Sequence, residues 1–148
     1  MPWDFPGVYS IQLRVVPGDC DDFGHVNNVV YLRWLQDVAW AHSCSLGLDF
    51  AAYEKIGVGV VARRHELDYL VASFPGDELA IGTWVAENHG RVDMWRSFQI
   101  IRRQDAVTLL RARSRFVCID MHSGRPCRQP AEFRQVYVPV AGRVAEAG

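Results

Sequence analysis

Between Gly18 and Trp34 the chain places three acids (Asp19, Asp21 and Asp22), then Gly24, His25, Asn27 and Asn28, directly ahead of an apolar stretch of helical period. A loop that delivers ionisable groups to the start of a helix has the parts of a reaction site. The N–H groups of a first helical turn lack partners inside the helix and sit at the positive end of its dipole, so they can hold developing negative charge. Asp21 and His25 would stand beside them. A carboxylate in that position either activates water as a general base or attacks an electrophilic carbonyl itself, and the residues leave both routes open. Burial beside Asp19 and Asp22 would strengthen Asp21 as a base through desolvation and like charge.

The neighbouring residues divide between chemistry and architecture. His25 polarises water, orients Asp21 or bonds the backbone. Asn27 suits an N-cap, Asn28 offers its backbone N–H, and Gly24 supplies a positive φ or a close substrate approach. Tyr31, one turn into the helix, fits the core as well as a substrate contact. Asp19, after Pro17-Gly18, fits turn chemistry. Cys20 has no base beside it, and its acidic neighbours oppose a thiolate. The acid cluster is not a calcium loop, because Phe23 and Val30 occupy ligand positions. His65 points away from Glu66 and Asp68 on a strand, so no metal is expected there, and no cofactor is implied elsewhere.

These groups need a scaffold. Period-2 patterns predict strands over Tyr9–Val16, Val58–Val71, Glu78–Asn88, Val92–Arg102 and Val107–Asp120, with His89-Gly90 as a tight turn. A helix from Asn28 to Leu46 is predicted, with Asn27 as its cap, Gly47 as its C′ residue and only a short connecting segment after it. A last short helix starts at Pro130. One strand, one long apolar helix and four further antiparallel strands give an α+β layout, one sheet around one helix, in a single domain over 1–148. Residues 1–7 and 139–148 are expected to be loose termini. The open sheet edges predict edge-to-edge dimerisation.

Composition narrows the partners. With 16 basic and 17 acidic residues there is no charge argument for nucleic acid or a membrane surface. No apolar run is long enough to span a bilayer, and the opening residues lack the regions of a signal peptide. Cys20, Cys44, Cys118 and Cys127 show no paired spacing, which fits reduced thiols in the cytoplasm.

The run Asp19-x-Asp21-x-x-Gly24-His25-Val26-Asn27-Asn28-x-x-Tyr31, with Trp34 soon after, resembles the hotdog-fold thioesterases of the 4-hydroxybenzoyl-CoA thioesterase type, over about Tyr9 to Val138. That resemblance implies the hotdog fold, hydrolysis of an acyl-CoA or acyl-carrier-protein thioester, and a homodimer or homotetramer with sites between subunits. It makes Asp21 the catalytic carboxylate and brings the helix start at Asn27 and Asn28 to the thioester carbonyl. The Gly-His-Val-Asn-Asn form is also similar to acyl-carrier-protein thioesterases, in which a histidine at the place of His25 joins the acid; Phe23 stands where those enzymes carry an asparagine. Some relatives carry a glutamate on the long helix, where this chain has Gln36 and Asp37.

For the phosphates of CoA the candidates are Arg91, Arg63 or Arg64, and the row Arg111, Arg113 and Arg115, each of which could equally belong to a solvated strand face. The acyl pocket is expected between subunits, lined partly by Tyr31, Leu32, Leu35, Val60 and Val61. A non-catalytic acyl-CoA or acyl-carrier binding protein is the alternative. A hydratase fits less well, since the Asp-x-Asn-Pro-x-His pattern is absent.

Overall fold

The computed structural model describes residues 1–140; the rest of the C-terminal segment expected to be loose, 141–148, lies outside the described residues. Along the chain run β1 (Tyr9–Arg14), α1 (Asn28–Ser45), α2 (Phe50–Ile56), β2 (Val58–Tyr69), β3 (Glu78–Glu87), β4 (Asp93–Arg102), β5 (Val107–Asp120) and α3 (Ala131–Val136). The strands form one antiparallel sheet in the order β1-β3-β4-β5-β2. The chain therefore leaves β2 at one edge and crosses to β3, next to the other edge, through residues 70–77.

Alternation along β3 and β4 turns Leu79, Ile81, Phe98 and Ile100 toward α1, where they pack with Tyr31, Trp34, Leu35 and Val38. Burying each large side chain of this kind contributes roughly 1.5–3 kcal/mol. A second cluster, with Leu48, Tyr53, Met94, Phe133 and Tyr137, sits under α2 and α3. One sheet laid against one long helix is the α+β hotdog layout that the motif's resemblance implies.

Three expectations are corrected. The connection after α1 contains a helix, α2: Asp49 caps it by accepting the Ala52 N–H at 2.9 Å, and Gly57 ends it at φ 79°. Leu46, expected to be the last residue of α1, is instead the residue just beyond it and is exposed. The opening segment is also not loose. Trp3 covers Gly82, where a Cβ would lie 2.6 Å from the indole, and Phe5 packs on Trp84 at 5.0 Å. Asp4 pairs with Arg111 at 2.7 Å and donates its N–H to Gln99 at 2.9 Å. The outer sheet face carries a glycine where the strap crosses, so an aromatic ring fills the space that a side chain would otherwise take.

Candidate active site

The loop before α1 is closed by its own backbone. The Asp21 N–H donates to the His25 carbonyl at 2.9 Å, and the Gly24 N–H returns to the Asp21 carbonyl at 3.0 Å. Gly24 adopts φ 80°, a region where a side chain would be strained. Asp21 Oδ1 accepts the Phe23 N–H at 2.9 Å, an Asx turn that fixes the carboxyl and leaves Oδ2 without a hydrogen bond among the described residues. Asp21, Asp22, Phe23, Gly24 and His25 are all exposed, so the burial expected around Asp21 is not provided by the described residues of this chain.

Asn27 caps α1 by accepting the Val29 N–H at 3.1 Å through Oδ1. Its carbonyl accepts the Val30 N–H at 2.9 Å. The Asn28 N–H has no acceptor among the described residues, and Asn28 is exposed. Asn27 therefore works as a cap, while Asn28 presents an open donor a short loop away from the Asp21 carboxylate. The His25 ring meets Phe74 edge-on at 5.1 Å. Among the described residues no hydrogen bond joins the His25 ring to Asp21, whose link to His25 is through the backbone, so a role for the ring as an orienting partner finds no support within one chain.

Asp19 is architectural. Its Oδ2 accepts the Val16 N–H at 3.0 Å, its carbonyl accepts the Asn27 N–H at 2.9 Å, and it pairs with Arg33 at 3.5 Å. The Cys20 thiol is held above its ordinary pKa, first by burial and then by Asp19 and Asp21, which opposes a nucleophilic role. Tyr31 lies in the core at 4% exposure, with its hydroxyl 2.6 Å from Ser73 Oγ, rather than on the surface of the loop.

Sequence reading missed the segment that supports this loop from behind. Ser73 is fully buried; its carbonyl accepts the Val26 N–H at 3.1 Å while its hydroxyl meets Tyr31. Tyr69 donates its hydroxyl to the Asn28 carbonyl at 3.0 Å. Both lie more than forty positions from their partners, a span over which local patterns carry no signal.

The arginines separate by their partners. Arg111 holds Asp4, Arg113 holds Glu66 at 2.6 Å and lies over Trp95, Arg115 holds Asp93 at 2.6 Å, and Arg64 holds Glu66 at 3.0 Å. Arg63, at the register shift in β2, and Arg91 are exposed and form no ion pair among the described residues. His65 accepts or donates a 2.6 Å bond with Ser114. No group of three or more His, Cys, Asp or Glu side chains gathers into a metal site among the described residues. No helix among them is long and apolar enough to cross a membrane.

Known structures share this fold. A 1,4-dihydroxy-2-naphthoyl-CoA thioesterase from Synechocystis matches with TM-score 0.78 and 17% identity, over 88% of this chain and 96% of that one. A Staphylococcus aureus hypothetical protein solved in complex with CoA matches with TM-score 0.83 and 14% identity, over 100% and 96%. An acyl-ACP thioesterase from Bacteroides thetaiotaomicron matches with TM-score 0.76 and 20% identity, over 82% of this chain but 49% of that one. At such identities the likeness speaks for the fold. The sequence itself goes further: a match to the thioesterase-like superfamily over residues 15–137 takes in all but the first fourteen and the last eleven residues, and the chain belongs to that superfamily.

Proposed function

We propose that the protein hydrolyses an acyl-CoA or acyl-carrier-protein thioester to free acid and thiol, as a thioesterase of the 4-hydroxybenzoyl-CoA type. The observation that carries this reading is the exposed Asp21 carboxylate in the loop leading to the open Asn28 N–H at the start of α1. A thioester has a good leaving group, so the chemistry needs a polarised carbonyl and a nucleophile. The Asn28 N–H and the helix dipole stabilise the oxyanion. Asp21 Oδ2 either draws a proton from water or attacks the carbonyl to form an anhydride that water opens. The thiolate of CoA or of the carrier's prosthetic arm leaves in either case. His25 and Gly24 border the approach, and Arg63 and Arg91 supply cations for the CoA phosphates.

A second copy of the chain completes this arrangement. β2 lies at the edge of the sheet with unpaired backbone groups, and the loop is flanked by exposed apolar side chains, Phe23 at 86% and Val29 at 72%. A homodimer or tetramer would shield Asp21 from water and strengthen it as a base. The free cysteines fit a protein working in the cytoplasm.

The test is thiol release from acyl-CoAs running from acetyl to palmitoyl plus benzoyl derivatives, using wild type and Asp21→Asn of matched thermal stability. Asn keeps the turn through its Oδ1, so the variant should fold and lose about 100- to 10,000-fold in rate. Equal activity of the two proteins removes Asp21 from the mechanism. Tight binding of acyl-CoA with no thiol release from any substrate, carrier-bound ones included, replaces the enzyme by a binding protein.

A further inference from the structure

The inner face of the sheet holds a positive charge that the loop chemistry leaves unused. Arg96 projects from β4 in register with Met94 and Phe98 and is 2% exposed. Its Nη1 donates to His42 Nδ1 at 2.7 Å and lies 3.4 Å from Thr83 Oγ1, while the guanidinium sits 5.7 Å from the centre of the Tyr137 ring. Because an arginine is never an acceptor, His42 takes part as the neutral ring and cancels no charge. Among the described residues no carboxylate pairs with Arg96, and its Nε and Nη2 bond none of them. A buried guanidinium without a counter-charge is unfavourable, and its planar fork is shaped for two carboxylate oxygens.

Arg96 also lines a cavity of about 340 Å³ between α1, α2 and the inner face of β2, β4 and β5. The volume lies in the range of small-molecule sites. Trp40, Met94 and Phe116 make apolar walls, and Ser43 and Tyr137, hydrogen-bonded to each other at 2.8 Å, stand with Arg96 as polar groups of the lining. Gly59 and Val60 of the edge strand border it too. Apolar walls leading to a single buried cation select a molecule with an apolar body and one anionic end.

We propose that this cavity receives the far end of the acyl group and that Arg96 binds a terminal carboxylate there, so that the substrate is the monothioester of a dicarboxylic acid with an apolar middle. This assignment rests on the thioesterase reading only for the word acyl; the binding of a carboxylate by Arg96 is tested without hydrolysis. Arg96 is a specificity residue and touches no reacting atom.

The experiment pairs CoA thioesters of equal length with and without an ω-carboxylate, from four to twelve carbons, and separately titrates the free diacids and monoacids while following the melting temperature. At the best-fitting length the ω-carboxyl thioester should exceed its plain partner at least tenfold in kcat/KM, carried mainly by KM. The matching free diacid should raise the melting temperature of wild type and not of Arg96→Met, with Arg96→Lys keeping part of the effect. Should Arg96→Met fail to fold, the diacid-against-monoacid comparison on wild type still decides. Hydrolysis of plain acyl-CoAs with no preference and no stabilisation by any diacid overturns the proposal and leaves the thioesterase reading standing. Arg96-dependent diacid binding without hydrolysis of any thioester upholds the cavity and removes the thioesterase reading.

Discussion

Around the start of α1 the polar groups face outward: Asp21, His25 and Asn28 are exposed, held by short backbone turns, and open donors and acceptors remain. Around its second half they face inward: Arg96, His42, Ser43, Tyr53 and Tyr137 bond one another beneath α2 and α3. The first region is arranged to meet something new, the second to keep polar groups satisfied within a packed core, save for one cation. Reactivity and stability are thus separated along a single helix. A substitution in the first region should move the rate, and in the second the melting point and, at Arg96, the choice of substrate.

The sharpest attempt to break that separation after Asp21→Asn is Phe133→Ala. Phe133 is 1% exposed and packs edge-on against Tyr53 and Tyr137, so its loss should cost about 3–5 kcal/mol in denaturant unfolding. Thiol release by the remaining folded fraction should be nearly unchanged. Ser73→Ala crosses the boundary, because Ser73 is both core and support for the loop. Leaving the Tyr31 hydroxyl unpaired should cost about 1–3 kcal/mol and also lower the rate. Asn27→Ala removes the cap alone, an expected cost of about 1 kcal/mol with a smaller fall in rate, read from paired melting and kinetic curves.

At neutral pH one further effect stays hidden and emerges only in acid. Burial, and then the charge of Arg96, push His42 down to about 4 from 6.5. The unfolded chain therefore takes up a proton between these values that the folded chain refuses. His42's contribution to stability is complete above about pH 6.5 and is lost progressively as the pH falls toward 4. Melting curves across that window should slope less in His42→Gln than in wild type. An equal slope would assign the acid sensitivity to other groups.

The sequence was most informative where local rules act alone. Asn27, the apolar period behind it and Gly47 mark α1, and alternation marks every strand, because capping and pleating are set by neighbours. The loop's candidate residues were legible as a motif, yet the seat of Tyr31 in the core was not, since Ser73 comes from a distant turn. α2 carried both its cap and its terminating glycine, but seven residues give too short a period to notice. Arg96 leaves a trace in the sequence: it interrupts the apolar register of Met94, Phe98 and Ile100, where a charge is out of place unless it has work inside.

The aromatic strap over Gly82 bears on how the chain is made. Asp4 finds Gln99 and Arg111 at separations of 95 and 107 residues, so the strap has no seat until β4 and β5 are in place. Loop closure over such distances is slow, and until it happens the sheet face around Gly82 lacks its aromatic cover. The strap is thus expected to settle late in folding, so a change that loosens it would burden assembly more than the finished fold.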